Sequence, residues 1–271
     1  MGISSILSDI KNDRNSNNKN LKDNKNLKDN SPPLPKIDSK EFQKVLDTRR
    51  SVRVYTDEEI PEKIVNKCLE NALKAPTSSN LQTWEIYWVR SKDNKDKLIK
   101  ACFSQPAAKT AKELFVFVAR PDHWRRNNDM MLDYINTRDN PPNSVLNYYG
   151  KITKYAYNQG FLNLFGFLKK LLIFFLGPFR TIPREPTSFS DMKVWSQKTT
   201  ALACQNFMLS MRAYGYDTCP MEGLDSTRVK KILKLPSKAQ ICMAISAGKR
   251  ENKGVYGKQL RFDNKIFIKE V

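Results

Sequence analysis

From residue 38 onward the apolar positions recur in blocks whose period identifies each block. Asp38-Ser39-Lys40-Glu41 reads as an acidic cap with a glutamate three residues on, and Phe42, Val45 and Leu46 give the helix it opens an apolar face that runs to about Thr48. A second helix takes Pro61 in its first turn; Ile64, Val65, Cys68, Leu69, Ala72 and Leu73 form one stripe, and Ala75-Pro76 stops it. Glu85–Val89 and Leu114–Ala119 are short runs rich in β-branched and aromatic residues, the signature of buried or half-buried strands. A long helix over Val194–Tyr214 carries Ala201, Leu202, Phe207, Met208, Leu209 and Met211 around much of its circumference, which predicts burial on several sides, and Gly215 ends it. Asp225 caps a shorter helix with Val229, Ile232 and Leu233 inward, closed by Pro236. Gln240–Ala247 reads as another strand and Lys265–Lys269 as a last extended segment. Helices mixed with strands that do not form a βαβ array predict an α+β fold.

Two stretches break this pattern. Residues 12–30 are Asn, Lys and Asp almost throughout, with Leu21–Asn26 partly repeated at Leu27–Asn30. They bury too little apolar surface to offset the entropy of ordering and are expected to be disordered, followed by an extended spacer at Ser31–Pro35. Ile3, Ile6, Leu7 and Ile10 recur at helical spacing but read as a frayed end. This gives a tail of residues 1–37 and a folded domain of 38–271. The domain is interrupted at 125–190 by an insertion of about 70 residues between the second strand and the long helix, too many for a plain loop. At its heart is Phe161–Leu176, interrupted by Lys169 and Lys170, whose apolar pieces are short of a membrane span. From Lys151 to Arg180 there are five basic residues and no acidic one. Two readings stay open: a helical lid that buries its aromatics, or an element lying in an anionic membrane interface.

The whole chain of 271 residues carries a formal charge of +19, which favours anionic partners: nucleic acid, an acidic membrane surface or phosphorylated small molecules. The basic residues are scattered and no helix-turn-helix, RNP or zinc pattern accompanies them, so nucleic acid is not expected. Five cysteines, odd in number and without a CxxC pair, and a single histidine, His123, offer no metal set; they read as small buried thiols of a reducing compartment. Met1–Lys11 lacks the pattern of a signal peptide and Ile6 stands where myristoylation wants Ser or Thr, so a cytoplasmic protein is expected, with the insertion allowing peripheral membrane contact. No Ser/His/Asp or Cys/His set for nucleophilic catalysis is visible, and His123 reads as a surface or loop residue.

Four segments carry candidate chemistry. Arg49-Arg50-Ser51-Val52-Arg53 is either a solvated basic turn or a phosphate clamp, since guanidinium groups fork onto phosphate oxygens. Ala75–Trp84 packs small hydrogen-bonding groups ahead of a strand, a run that suits a planar polar ligand. Pro220-Met221-Glu222-Gly223-Leu224-Asp225 is a turn into a capped helix that can present backbone N–H groups to electron-rich atoms. Gly248-Lys249-Arg250 and Lys258-Gln259-Leu260-Arg261 form a basic C-terminal stretch.

In this order and spacing the four segments, across about residues 42–262, resemble the nitroreductase family. Thr83 stands where that family usually has proline and Leu224 where it has phenylalanine; both are expected to shape the substrate pocket. The resemblance implies a three-layer α/β/α sandwich with a mainly antiparallel sheet, an intertwined homodimer, and FMN as cofactor with NADH or NADPH as reductant. It implies that Arg49, Arg50, Ser51 and Arg53 hold the FMN phosphate, ribityl chain and pyrimidine edge, and that Arg261 with Lys258 or Gln259 completes the phosphate site. Pro76, Thr77, Ser78 and Asn80 would reach the flavin from the other protomer, Glu222 and Gly223 would approach its N5 and O4, and Gln105 would stand near its edge. The activity implied is ping-pong reduction of a nitroaromatic, quinone or similar small acceptor, the flavin carrying the chemistry. An FMN-binding sensor or scaffold without turnover is the alternative.

Overall fold

The computed structural model describes residues 33–271; the expectations for residues 12–30 and for the Ile3–Ile10 pattern lie outside the described residues. In chain order the elements are α1 (Ser39–Thr48), α2 (Glu62–Ala72), β1 (Trp84–Val89), α3 (Lys92–Ala101), the one-turn α4 (Pro106–Lys109) and β2 (Glu113–Ala119). Then come α5 (Trp124–Asn136), α6 (Asn143–Asn147), α7 (Thr153–Tyr157) and α8 (Leu164–Leu176). The chain closes with α9 (Phe189–Ala213), β3 (Asp217–Met221), α10 (Ser226–Ile232), β4 (Gln240–Gly248) and α11 (Asn264–Phe267). Two compact units divide the described residues: 39–124 with 188–271, and 125–187 with 33–38.

The first unit is built on one sheet of order β1-β2-β4-β3, antiparallel at every pairing. Every residue of β2 after Glu113 is buried, because both faces of this central strand are covered. Phe115 and Phe117 point to α2 and α9, where their rings lie 4.8 and 5.5 Å from that of Phe207. Leu114, Val116 and Val118 point the other way, against Leu98 and Ala101 of α3, Ala107 and Ala108 of α4 and Val229 of α10. The fold is therefore α+β, with helices on both faces of a four-stranded antiparallel sheet. Pro220, which has no N–H to give, sits in β3 at the edge of the sheet, where a missing donor is tolerated. The register of β2 against β4 shifts between Phe117 and Val118, whose partners are Met243 and Ile241. Cys242 is thus the extra residue of a β-bulge, and Cys242 and Met243, though adjacent, both pack on the α9 side.

Several expectations change against this frame. α9 begins at Phe189 rather than near Val194 because the Ser188 hydroxyl accepts from Asp191 N at 3.0 Å and caps the first turn. Its outer face is not buried: Val194 and Leu202 are exposed, while the polar Ser196, Thr199 and Thr200 lie inside. Gly215, at φ 83°, does stop it. The Lys265–Lys269 segment is not extended; Asp263 accepts from Lys265 N at 2.9 Å and opens the short helix α11. No residue of α1 is buried, so its apolar face is exposed in the single chain. Thr83 and Leu224 both belong to the interior: Thr83 is buried, its carbonyl accepting from Ser196 Oγ at 3.0 Å, and Leu224 packs on the α3 side of the sheet. Four of the five cysteines are buried and none is paired. His123 is no surface residue but is half-buried in the turn after β2, its two ring nitrogens 3.8 Å from Glu85 and 3.9 Å from Asp122. The same two carboxylates hold Arg120, which is buried and donates to Glu85 Oε2 at 2.6 Å and to both Asp122 oxygens at 3.1 and 2.9 Å.

In the second unit Asn128 of α5 is buried, donating to Tyr149 O at 2.9 Å and accepting from Thr153 Oγ1 at 2.6 Å, which ties α5 to the Tyr148–Ile152 π-turn and α7. Among the described residues no single helix is long and apolar enough to cross a membrane.

Two measurements check this packing. Phe207→Ala empties the contact with Phe115 and Phe117 and is expected to lower the unfolding free energy by about 3–5 kcal/mol at unchanged denaturant slope. Burial by itself would raise the Asp122 carboxyl, but the bonds from Arg120 outweigh it and hold the group below its ordinary 3.8. Its contribution is therefore complete above that value and is lost as pH falls through the lower folded-state value, so Asp122→Asn should flatten the acid limb of a stability–pH curve below about pH 4.

Candidate functional site

The basic turn begins where α1 ends, with Arg49 N bonded to Val45 O at 3.0 Å. Residues 51–55 then run from the free edge of β3, met at Thr218, onto the segment that follows β4. Val52 N donates to Thr218 O at 3.0 Å, Arg53 N to Gly254 O at 2.7 Å, and Tyr55 pairs with Arg250. Val52 and Tyr55 are buried, whereas Ser51 and Arg53 face solvent. Gly254 is required here, because a Cβ would collide with Val54 O.

The C-terminal loop closes over this turn. Arg50 Nη2 donates to Gly257 O at 2.7 Å, and the Arg53 guanidinium lies 5.5 Å from the centre of the Tyr256 ring. The Gln259 amide, turned to satisfy both ends, joins Asp47 O to Arg261 Nη2 at 3.3 Å each. Arg49, Arg50, Arg53 and Arg261 are thereby brought together from opposite ends of the sequence. Lys258 is exposed on the same loop and, among the described residues, makes no hydrogen bond or ion pair.

Arg49 is the singular member of this group. Its guanidinium is held below its ordinary value, first by burial and then by repulsion from Arg261 and Arg50. Among the described residues it has no hydrogen-bond acceptor and no carboxylate within bonding reach. The nearby acid, Asp217, is already consumed: it is buried at the start of β3 and receives Arg212 Nη1 at 3.0 Å and Arg250 Nη2 at 2.7 Å. Beneath the arginines, burial pushes the Cys219 thiol up while Arg53 and Arg49 pull against it. Thr218 Oγ1, also buried on β3, has no partner among the described residues. A cradle of like charge whose one internal anion is already paired can do one thing well, which is to take an anion from outside.

A second group forms where β3 gives way to α10. Glu222 and Gly223 are exposed in the turn, and Gln105, at the N-terminus of α4, donates its amide to Gly223 O at 2.8 Å. Gly223 is exposed, and its N–H has no acceptor among the described residues. Asp225 N bonds Ala101 O at 2.8 Å, and the Asp225 side chain accepts from Arg228 N at 3.0 Å, so the turn is pinned to α3 on one side and caps α10 on the other.

The third segment, Pro76–Gln82, is a tight turn of its own. Ser79, Asn80 and Gln82 all take left-handed φ values of 53, 50 and 45°, which cost non-glycine residues energy. Thr77 Oγ1 accepts from Gln82 N at 3.1 Å, and the Gln82 amide reaches Asn80 O at 3.4 Å. The buried Leu81 and the Thr83–Ser196 bond hold it in place, leaving Ser78, Asn80 and Gln82 exposed.

The residues that sequence reading passed over are Asp217, Arg212, Tyr256 and Gly254, which build the cradle without themselves forming a motif; Arg250 was read only as part of the basic C-terminal stretch.

Comparison with known proteins follows the same residues. A model of the nitroreductase family matches residues 46–249. A Thermus thermophilus protein named NADH dehydrogenase is 27% identical over 215 residues, 79% of this chain and 88% of that one. Among solved structures, the Bacillus subtilis nitroreductase ydfN gives a TM-score of 0.67 at 20% identity over 86% of this chain and 100% of its own. A nitroreductase of Exiguobacterium sibiricum, solved in complex with FMN, gives 0.58 at 20% identity over 88% and 100%. The matched span takes in the arginine turn, the strained turn and the Glu222–Gly223 turn, and the chain belongs to the nitroreductase family.

Proposed function

We propose that this protein is an FMN-dependent oxidoreductase that uses NADH or NADPH to reduce a nitroaromatic, a quinone or a similar small acceptor, and that it works as a homodimer. One observation carries the reading: a half-buried arginine, Arg49, surrounded by cations and lacking an internal counter-ion, fits the phosphate of FMN. Arg50, Arg53 and Arg261 add charge to the same anion, and the Ser51 hydroxyl suits the ribityl chain. Gln105 anchors the turn through the Gly223 carbonyl, and the Gly223 N–H, with Glu222 beside it, would serve the electron-rich edge of the ring system. Bound there, FMN would supply electron transfer from the nicotinamide to the acceptor in two half-reactions. The protein then needs no nucleophile or general acid of its own; its part is to hold, orient and shield.

The dimer reading rests on surfaces that a single chain leaves bare. Phe42 and Leu46 of α1 are exposed, as are Leu260, Phe262, Ile266 and Phe267 near the C-terminus. A partner covering them would also bring Pro76, Thr77, Ser78 and Asn80 of the partner subunit to the cofactor. In this reading residues 38–271 are one cofactor-binding domain, residues 125–190 an insertion within it, and the compartment a reducing one.

Purified protein should be yellow, release FMN on denaturation in about a one-to-one ratio to chain, and scatter light as a dimer; a monomer that keeps stoichiometric FMN would overturn the shared site. Arg49→Ala and Arg261→Ala should each weaken FMN binding about ten- to a hundredfold in a fluorescence titration, since a charge-assisted contact is worth about 1.5–3 kcal/mol. Unchanged affinity in both variants would mean that the phosphate lies elsewhere. Bleaching of the flavin by NADH or NADPH, followed by reoxidation with an acceptor panel, separates a reductase from a sensor that binds FMN without turnover.

A further inference from the structure

The outward face of α8 has no counterpart in the proposed chemistry. Leu164, Phe167, Leu168, Leu171, Phe174 and Phe175 recur at i, i+3, i+4, i+7, i+10 and i+11, which places all six on one stripe of the helix. All six are exposed, Phe174 at 73%, and the flanking Phe161 and Phe179 are each 85% exposed. The opposite face is the one that holds the helix down. Gly166 is its buried residue, bonded from its N–H to Gln159 O at 3.1 Å and lacking the Cβ that would strike Thr187 O.

Lys169 settles which way the helix lies. Its ammonium donates to Ala156 O at 2.9 Å, Asn158 O at 3.0 Å and Pro186 O at 2.8 Å, so all three of its protons are spent inside the unit. Of the two lysines that break the apolar run, one is a clamp and only Lys170 reaches solvent, on the flank of the stripe. Lys151, Lys154 and Arg180 are exposed as well, and no acidic residue occurs from 151 to 180. At 13 residues the helix is about 20 Å long, too short to span a hydrocarbon core of about 30 Å.

We propose that residues 161–180 dock this protein on an anionic lipid surface, with α8 lying in the plane of the interface, its phenylalanines and leucines in the acyl boundary and Lys170 and Arg180 among the headgroups. Charge decides the occupant. A second copy laid on this stripe would bring the same lysines and arginine face to face, whereas an anionic bilayer offers both the apolar layer and the opposite charge. The docking is independent of the cofactor reading.

The test is flotation of the full chain with two kinds of vesicle, pure phosphatidylcholine and phosphatidylcholine mixed with phosphatidylglycerol. Wild-type protein is expected to float with the anionic vesicles, weakly or not at all with the neutral ones, and less at high salt. Phe174→Ser with Phe175→Ser should abolish flotation, and since both side chains are exposed the melting temperature should not move. Lys170→Ala, which removes no apolar contact, should reduce partitioning about fivefold. Protein that stays at the bottom with both vesicles overturns the proposal. So does a double variant that floats like wild type, or one that turns a dimer into a monomer in light scattering, which would assign the stripe to a second copy.

Discussion

A strand covered on both faces sets the terms for this fold. The side chains of β2 alternate between two cores, phenylalanines toward α2 and α9 and aliphatic residues toward α3, α4 and α10, and neither face can be left wet. β2 must therefore lie inside the sheet, with β1 and β4 as neighbours, and β3 is left at the margin. That margin is where the chemistry gathers. Only an edge strand can leave Thr218 O free for Val52 N–H and tolerate Pro220, and from its two ends come the arginine cradle and the Glu222–Gly223 turn.

The cradle is an electrostatic debt held open by the fold. Six guanidinium groups approach the N-terminal end of β3, and the buried carboxylate of Asp217 answers just two of them. In the absence of a further acid, the repulsion among Arg49, Arg50 and Arg261 is tolerated because the backbone is fixed by bonds that do not involve these charges: Val52 to Thr218, Arg53 to Gly254, Thr56 to Lys249. An anion binding there relieves strain that folding has already accepted, which is how a site gains affinity without moving.

Local signals were legible in the sequence and distant ones were not. The Asp225 cap, the Gly215 stop and the buried run of β2 depend on neighbours within a turn or on composition over seven residues, and all appear where the residues placed them. The nitroreductase pattern was readable because its motifs are contiguous. What escaped depends on partners far along the chain. Thr83 stands out in sequence only as a departure from a motif, and its bond to Ser196, 113 positions on, which anchors a turn, has no local sign. His123 does sit in a turn, but its burial beside Glu85 has no sign in the sequence around it. Lys169 and Lys170 are identical as letters, yet one is folded inward onto three carbonyls and the other is not. The start of α9 is a local signal as well, since Ser188 and Asp191 stand at capping distance.

The bulge at Cys242 has a consequence for how this chain can vary. A strand assigns its side chains by parity, odd positions to one layer and even positions to the other, and the extra residue changes that parity midway along β4. Ile241 thereby falls on the α3 side while Met243 falls on the α9 side with Cys242, an assignment that simple alternation would forbid. Ile241 already faces Val118 and Met243 already faces Phe117, so removing Cys242 would close the ladder into regular alternation with both side chains in their present layers. The bulge is a tolerated extra, whereas removing a residue from the regular stretch Met243–Gly248 would shift one side of the cut into the wrong layer.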